Sequence, residues 1–234
     1  MINRTIINDQ YYYHIFNRGT EKRKIFLDKW DYVRFLEEMR WFNQTEAITS
    51  LYHFKKRRLS GSTSPAGAVE PLNKPLINIL AYCLNQNHYH LLVEQVSTDG
   101  ISRFMQKLGT GYTCYFNDKY KRTGSLFQGK YKFKPIKSIE ELLKLSVYIN
   151  CNAEIHGIAK KESWIWSSYL DYIGKRNGTL CNKNDIYIEL SSPTAPAGEV
   201  GLLTKQLGFQ YEKLCKEWTE DSKRIKYFKK YDLD

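Results

Sequence analysis

Asn87-His88-Tyr89-His90-Leu91-Leu92-Val93-Glu94 alternates in the manner of a β-strand and follows a second apolar run, Leu76 to Leu84. Two strands, over 76–84 and 88–96, are therefore expected to meet at Asn85-Gln86-Asn87, a hairpin with turn-forming amides. Successive strand side chains point to opposite faces. His88 and His90 thus point the same way, roughly 6.5–7 Å apart along the strand. Tyr89 and Leu91 point the other way, towards a core. Two neutral imidazoles on one face suit a divalent metal. A bare His-x-His is more often a pair of surface polar residues. The balance changes with a second pair further along, Tyr148 and Asn152.

The rest of the chain bounds the answer. Its 234 residues, 42% of them hydrophobic, suffice for one domain with room for an appendage. A formal charge of +11 favours an anionic partner, with nucleic acid ahead of an acidic membrane surface. Aromatics make up 15%, including 18 Tyr, and their interleaving with Lys and Arg suits stacking on unpaired bases as well as core packing. Cysteines 83, 114, 151, 181 and 215 form no Cys-x-x-Cys pair, so neither a disulfide frame nor a zinc–thiolate site is expected. Cys83 and Cys151 sit in apolar patterns and read as buried thiols. Met1 to Gln10 lacks an apolar signal-peptide core, and no apolar run is long enough for a membrane span. The expectation is a cytoplasmic, nucleoid-associated protein without membrane contact.

In chain order, Tyr11 to Asn17 reads as an aromatic strand ended by Arg18-Gly19. His14 shares a face there with Tyr12 and Phe16. It is expected to be packed, with approach to a metal or phosphate as the other option. Asp28 caps a helix from Lys29 to Asn43, with Trp30, Val33, Phe35, Leu36, Met39 and Trp41 at helical spacing. A basic run follows at His53 to Arg58, then a Ser/Gly/Pro-rich loop to Lys74. Thr63-Ser-Pro-Ala-Gly-Ala-Val69 is echoed at Thr194-Ala-Pro-Ala-Gly-Glu-Val200, and both read as inserted linkers. Gly100 to Tyr120 carries a stripe of Ile101, Phe104, Met105, Leu108, Tyr112, Tyr115 and Phe116, the pattern of a core-facing helix. The glycines at 109 and 111 do not make a dinucleotide loop, since the third glycine and the preceding strand are missing.

Lys119 to Lys137 is the densest mixture of basic, aromatic and glycine residues, built around Gly124-Ser-Leu-Phe-Gln-Gly129. Glycines let backbone approach a phosphate, and Lys and Arg neutralise it. A solvated loop with an edge strand is the bland alternative. The candidate DNA contacts are Arg18, Lys121, Arg122, Gln128, Lys130 and Lys132. Ile139 to Asn152 reads as a helix with acidic Glu140 and Glu141 in its first turn. An aromatic segment follows, Trp164-Ile-Trp-Ser-Ser-Tyr169.

Tyr148 and Asn152, four apart, share a face of that helix. If the face packs over the histidine strand, Asn152 offers an amide oxygen as third metal ligand and Tyr148 lies one turn away. No Gly-x-x-x-x-Gly-Lys-Ser/Thr loop is present, so no nucleotide cofactor is expected.

His88-Tyr89-His90 resembles the His-hydrophobic-His motif of HUH single-strand DNA endonucleases. Tyr148-Ile-Asn-Cys-Asn152-Ala-Glu-Ile-His-Gly157 resembles the catalytic helix of single-tyrosine transposases, above all the REP-associated tyrosine transposases. Ala153 stands where that family usually has Pro. Tyr13-His-Ile-Phe-Asn-Arg-Gly19, Arg122-Thr-Gly-Ser-Leu-Phe-Gln-Gly129 and Trp164 to Tyr169 are family-like too, so the resemblance runs from about Tyr11 to Tyr172. It implies an α+β, ferredoxin-like fold: one antiparallel sheet with helices on one face. Beyond the reach of the resemblance, Leu207 to Tyr231 reads as an amphipathic, basic helix or helix pair, a C-terminal helical extension. The resemblance also implies Tyr148 as nucleophile, and His88, His90 and Asn152 around Mg²⁺ or Mn²⁺. The implied partner is single-stranded, hairpin-bearing DNA, and family members work as monomers or as homodimers. The expected division is a transposase domain over 1–175 with an inserted linker at 59–75, a second linker at 176–206, and a basic helical extension at 207–234. A catalytically silent, domesticated DNA-binding regulator is the competing reading.

Overall fold

The computed structural model describes residues 12–45, 74–191 and 200–221, with the side chains of 200–204 excepted. The N-terminal segment, the basic run at 53–58, nearly all of the linker at 59–75 and most of the Pro-Ala-Gly echo lie outside the described residues.

Four strands form one antiparallel sheet: β1 (Tyr12–Arg18), β2 (Ile77–Asn85), β3 (His88–Gln95) and β4 (Lys132–Pro135), in the order β2-β3-β1-β4. Helix α1 (Lys29–Trp41) lies between β1 and β2 in the chain, and α2 (Gly100–Lys119) between β3 and β4. That is the expected α+β class. The hairpin is tighter than the three-residue one expected: the turn takes only Gln86 and Asn87, and Asn85 pairs with His88.

Local chemistry sets the element ends. Asp28 accepts from the amides of Trp30 and Asp31, and Asp31 returns the bond to the Asp28 amide, a reciprocal cap on α1. Phe35 and Met39 are buried as the stripe predicts, whereas Trp30, at the first turn, is exposed. On α2 the stripe is buried from Ile101 to Phe116, with Tyr115 half-buried and donating to Asp31. Asp31 is itself buried, and it is matched by Lys119 at 2.7 Å and the Tyr120 hydroxyl at 2.8 Å.

Both faces of the sheet are covered. Tyr13, Ile15, Tyr89, Leu91 and Val93 pack against α1 and α2. Tyr12, Leu80, Ala81, Cys83 and Leu92 pack on the other side, under α3 (Ile139–Asn150). The one-face arrangement therefore accounts for α1 and α2 alone. The expected single helix to Asn152 breaks at Cys151, and a short α4 (Asn152–Ile155) follows. Gly157, with φ of 67°, lies just beyond, as expected of a residue that ends a helix.

Trp164 to Tyr169 closes the outer edge of β2. The Leu84 amide donates to the Trp166 carbonyl, and Ser168 Oγ accepts from the Tyr82 amide. An open strand edge is a template for unwanted pairing, and this segment covers it. Three further helices follow: α5 (Tyr169–Tyr172), α6 (Asn184–Leu190) and α7 (Val200–Glu220). The stretch expected to be a linker at 176–206 thus contains α6 and the start of α7. Ile186, Tyr211 and Cys215 join the buried cluster beneath α3, so α7 packs into the body of the protein and is no detached appendage.

Candidate active site

The register fixes which side chains meet. Opposite residues of an antiparallel pair share a face. Asn85 faces His88, Arg18 faces His88 from the other side, Phe16 faces His90, and Lys132 faces Phe16. One sheet face therefore presents Asn85, His88, His90, His14 and Arg18, with Lys132 on the neighbouring edge strand.

Helix α3 and the break at Cys151 lay Tyr148 and Asn152 over that face. The Tyr148 ring stands edge-on to His90, with centroids 5.6 Å apart, and to His14 at 6.2 Å. Asn152 Oδ1 is 3.4 Å from His88 Nε2. The structure thus brings all four residues of the two pairs together within one chain. Tyr148 and Asn152 are fully buried.

The hydrogen bonds fix one tautomer. His88 Nδ1 is 2.7 Å from the Asn87 side-chain oxygen, which can only accept. Nδ1 therefore carries the proton, and Nε2 presents a bare lone pair towards Asn152 and Asn85. Between His88 and Asn152 sits the Asn85 amide nitrogen, 2.8 Å from His88 Nε2 and also donating to Asn152 Oδ1. His90 Nδ1 is 2.8 Å from His14 Nε2.

Burial keeps the imidazoles neutral. It lowers His14 to about 3, with help from Lys134. It lowers His88 to about 4, assisted by His156. His90 lies well below the ordinary range, from burial first and then from His14 and His88. Neutral imidazole is the ligand form. Among the described residues, no three His, Cys, Asp or Glu side chains converge as a metal site. A third donor must then be an amide, and Asn152 supplies one whose oxygen converges with the His88 lone pair. The set fits a divalent cation of the oxygen-and-nitrogen type.

The candidate DNA contacts divide. Arg18 bonds Gln128 through its side chain, beside His88. Lys132 is exposed on the site's face. Lys130 instead lines a cavity of about 710 Å³ together with Asn17, Tyr89 and Met105, on the opposite side of the sheet. Lys121 and Arg122 occupy the turn after α2, where Lys121 pairs with Asp118 at 3.5 Å and Arg122 bonds Asn117 at 3.1 Å.

The sequence reading gives Asn85 only a turn role, and it prefers a packed His14 to one that approaches a metal or phosphate. His156, whose ring lies 5.9 Å from His88, was not considered. Asn85 was readable in principle: with a two-residue turn it must sit opposite His88. The spacing of His156, four residues after Asn152, was the corresponding signal on the helix side.

Residues 70–152, roughly a third of the chain, match the family model described as "Transposase IS200 like". The matched segment contains His88, His90, Tyr148 and Asn152. No curated protein matches. A solved structure described as a REP-associated tyrosine transposase bound to a REP hairpin aligns over 86% of this chain and 98% of its own, at 13% identity and a TM-score of 0.46.

Proposed function

We propose that this chain nicks and rejoins single-stranded DNA beside a hairpin, through a covalent tyrosine link, a reading supported by the match of residues 70–152 to an IS200-like transposase family model. The observation that carries the proposal is the meeting, in one chain, of the Tyr148 ring with His90 and of Asn152 Oδ1 with His88 Nε2.

Tyr148 Oη attacks a DNA phosphorus in line. The Oη–P bond forms, the bond from phosphorus to the 3′ oxygen breaks, and the phenolic proton ends on the departing 3′-hydroxyl. A 5′-phosphotyrosine remains, and a second 3′-hydroxyl reverses the exchange at a new place. One phosphodiester is kept throughout, so no nucleoside triphosphate is consumed. A phenol ionises near pH 10 in water and is a weak nucleophile at neutral pH. Mg²⁺ or Mn²⁺, when bound, supplies Lewis-acid stabilisation of phenolate character and of charge on the phosphate. His88 and His90 would hold the ion through neutral nitrogens, Asn152 would hold it through its amide oxygen, and Arg18 and Lys132 would take backbone phosphates. The partner is hairpin-bearing single-stranded DNA, met in the cytoplasm.

Incubation with hairpin-bearing single-stranded DNA and Mn²⁺ should yield a covalent adduct that survives a denaturing gel. Tyr148→Phe should abolish it. An adduct that persists in Tyr148→Phe removes the assignment.

One observation favours a second reading. Tyr148 is fully buried, as a residue with no further catalytic use would be. A silent DNA-binding regulator would bind the same DNA with or without metal and cleave none of it.

A further inference from the structure

Asn85 occupies the point on which the metal-holding groups converge. It is buried, and it lies opposite His88 across the two-residue turn. Its amide nitrogen donates at once to His88 Nε2 and to Asn152 Oδ1. Both of those are acceptors with lone pairs aimed at a common place, and the partially positive N–H₂ group stands where a cation would. The other end of the same amide faces the Cys83 sulfur at 3.6 Å. A thiol is both a weak donor and a weak acceptor, so it tolerates either end of an amide. The Asn152 amide nitrogen is buried with no hydrogen-bond partner among the described residues. Among the described residues, the hydrogen bonds of its side chain therefore all run through its oxygen, towards this same point.

We propose that Asn85 is a further metal-holding residue, a fourth protein donor that turns its amide end for end when a divalent cation enters. A half-turn about Cβ–Cγ exchanges the nitrogen for the oxygen at nearly constant volume. Without the ion, the N–H₂ group satisfies His88 and Asn152. With the ion, the Asn85 oxygen joins them around it, and the amide nitrogen turns to the Cys83 sulfur. The turn exchanges one weak sulfur contact for another, so it adds little to the cost of binding. This inference rests on the metal reading given above.

The test uses Mn²⁺ alone, without DNA, titrated into the full chain while free Mn²⁺ is followed by electron paramagnetic resonance. Asn85→Leu, a near-isostere without the donor, should weaken binding about tenfold. Asn85→Asp, which adds a charged oxygen, should tighten it by about the same factor, a gain that misfolding cannot produce. His88→Ala should weaken binding more than Asn85→Leu does. If Asn85→Leu and Asn85→Asp bind as the unaltered chain does while His88→Ala is weakened, the Asn85 inference falls and the metal site stands. Tighter binding by Asn85→Leu would make the amide an obstacle to the ion, which also overturns it. If the unaltered chain binds no Mn²⁺, both readings fall.

Discussion

His14 governs what His90 can offer. For His90 to present Nε2 to a cation, its Nδ1 must be protonated and donate to His14 Nε2, 2.8 Å away. Orienting partners of this kind change metal affinity by about 10–100-fold when lost. His14→Leu should therefore weaken Mn²⁺ binding within that range, and it should cost about 1–3 kcal/mol of stability through the buried nitrogen it strands. Mn²⁺ titration and urea unfolding of the same variant measure the two effects. The imidazoles also set a pH dependence in metal-free protein. His14 and His88 are lowered to about 3 and about 4, and His90 lies well below the ordinary range. An unfolded imidazole titrates near pH 6.5, so below that value the unfolded chain takes up protons that the folded one refuses. The stability they contribute is whole above about pH 6.5 and is lost as pH falls, at about 1.4 kcal/mol per pH unit for each imidazole. Buried Glu38, raised to about 7, works in the opposite sense, because its neutral form is favoured by folding. The net expected slope is about 2–3 kcal/mol per pH unit between about pH 6.5 and about pH 4.5. Urea unfolding across that window measures it, and a flat profile would contradict neutral imidazoles.

Helix α7 holds the helix that carries Tyr148. The Tyr211 hydroxyl accepts from Asn150 Nδ2 at 2.8 Å and lies 3.1 Å from Ser146 Oγ, both on α3. Tyr211→Phe keeps the ring and removes both bonds, and should lower stability by about 1–3 kcal/mol, read as a fall in thermal midpoint. An unchanged midpoint would mean that the Tyr211 hydroxyl does not help to hold α7 on α3. This clamp was not legible in the sequence, which placed the helix start at Leu207 and treated the stretch before it as linker. The Pro-Ala-Gly segment just upstream has linker chemistry, and the packing of Tyr211 and Cys215 beneath α3, which no local pattern announces, holds a helix that starts at Val200. The break at Cys151 was hidden for a similar reason: an apolar stripe running through 142–149 continues without a Gly or Pro to mark the change. What was legible had local causes. Asp28 and Asp31 cap α1 within four residues, the stripe on α2 has helical period, and the β3 alternation puts His88 and His90 on one face whatever packs above them. The pairing of Tyr148 with Asn152 survived the helix break because the short α4 continues on the same side of the sheet. Asn85 required the exact length of the turn, which three turn-forming amides in a row left ambiguous.

At the scale of the whole molecule, the two sheet faces have separate tasks. One carries the large aromatic core with α1 and α2, and the other carries the imidazoles beneath α3. Tyr148 is completely buried, so under the proposed function a DNA strand would reach it only when some of that cover moves, and first contact would be made by groups already at the surface. Arg18 and Lys132 lie on the site's face, Lys130 lines a cavity on the far side, and Lys121 is turned to Asp118 in the loop after α2. The excess charge of +11 supplies general attraction, but phosphates held beside the site should register in the salt dependence of binding. For single-stranded nucleic acid, each phosphate contact contributes about 0.7 to the slope of log affinity against log salt. Changing Arg18 and Lys132 together to Gln should flatten the slope by about 1.4, whereas Lys121→Gln should leave it nearly unchanged. Fluorescence anisotropy with a hairpin-bearing single strand over a series of salt concentrations measures both. An equal loss from Lys121→Gln would place the strand along the end of α2 and away from the imidazoles. The site would then be approached from the wrong side for attack by Tyr148.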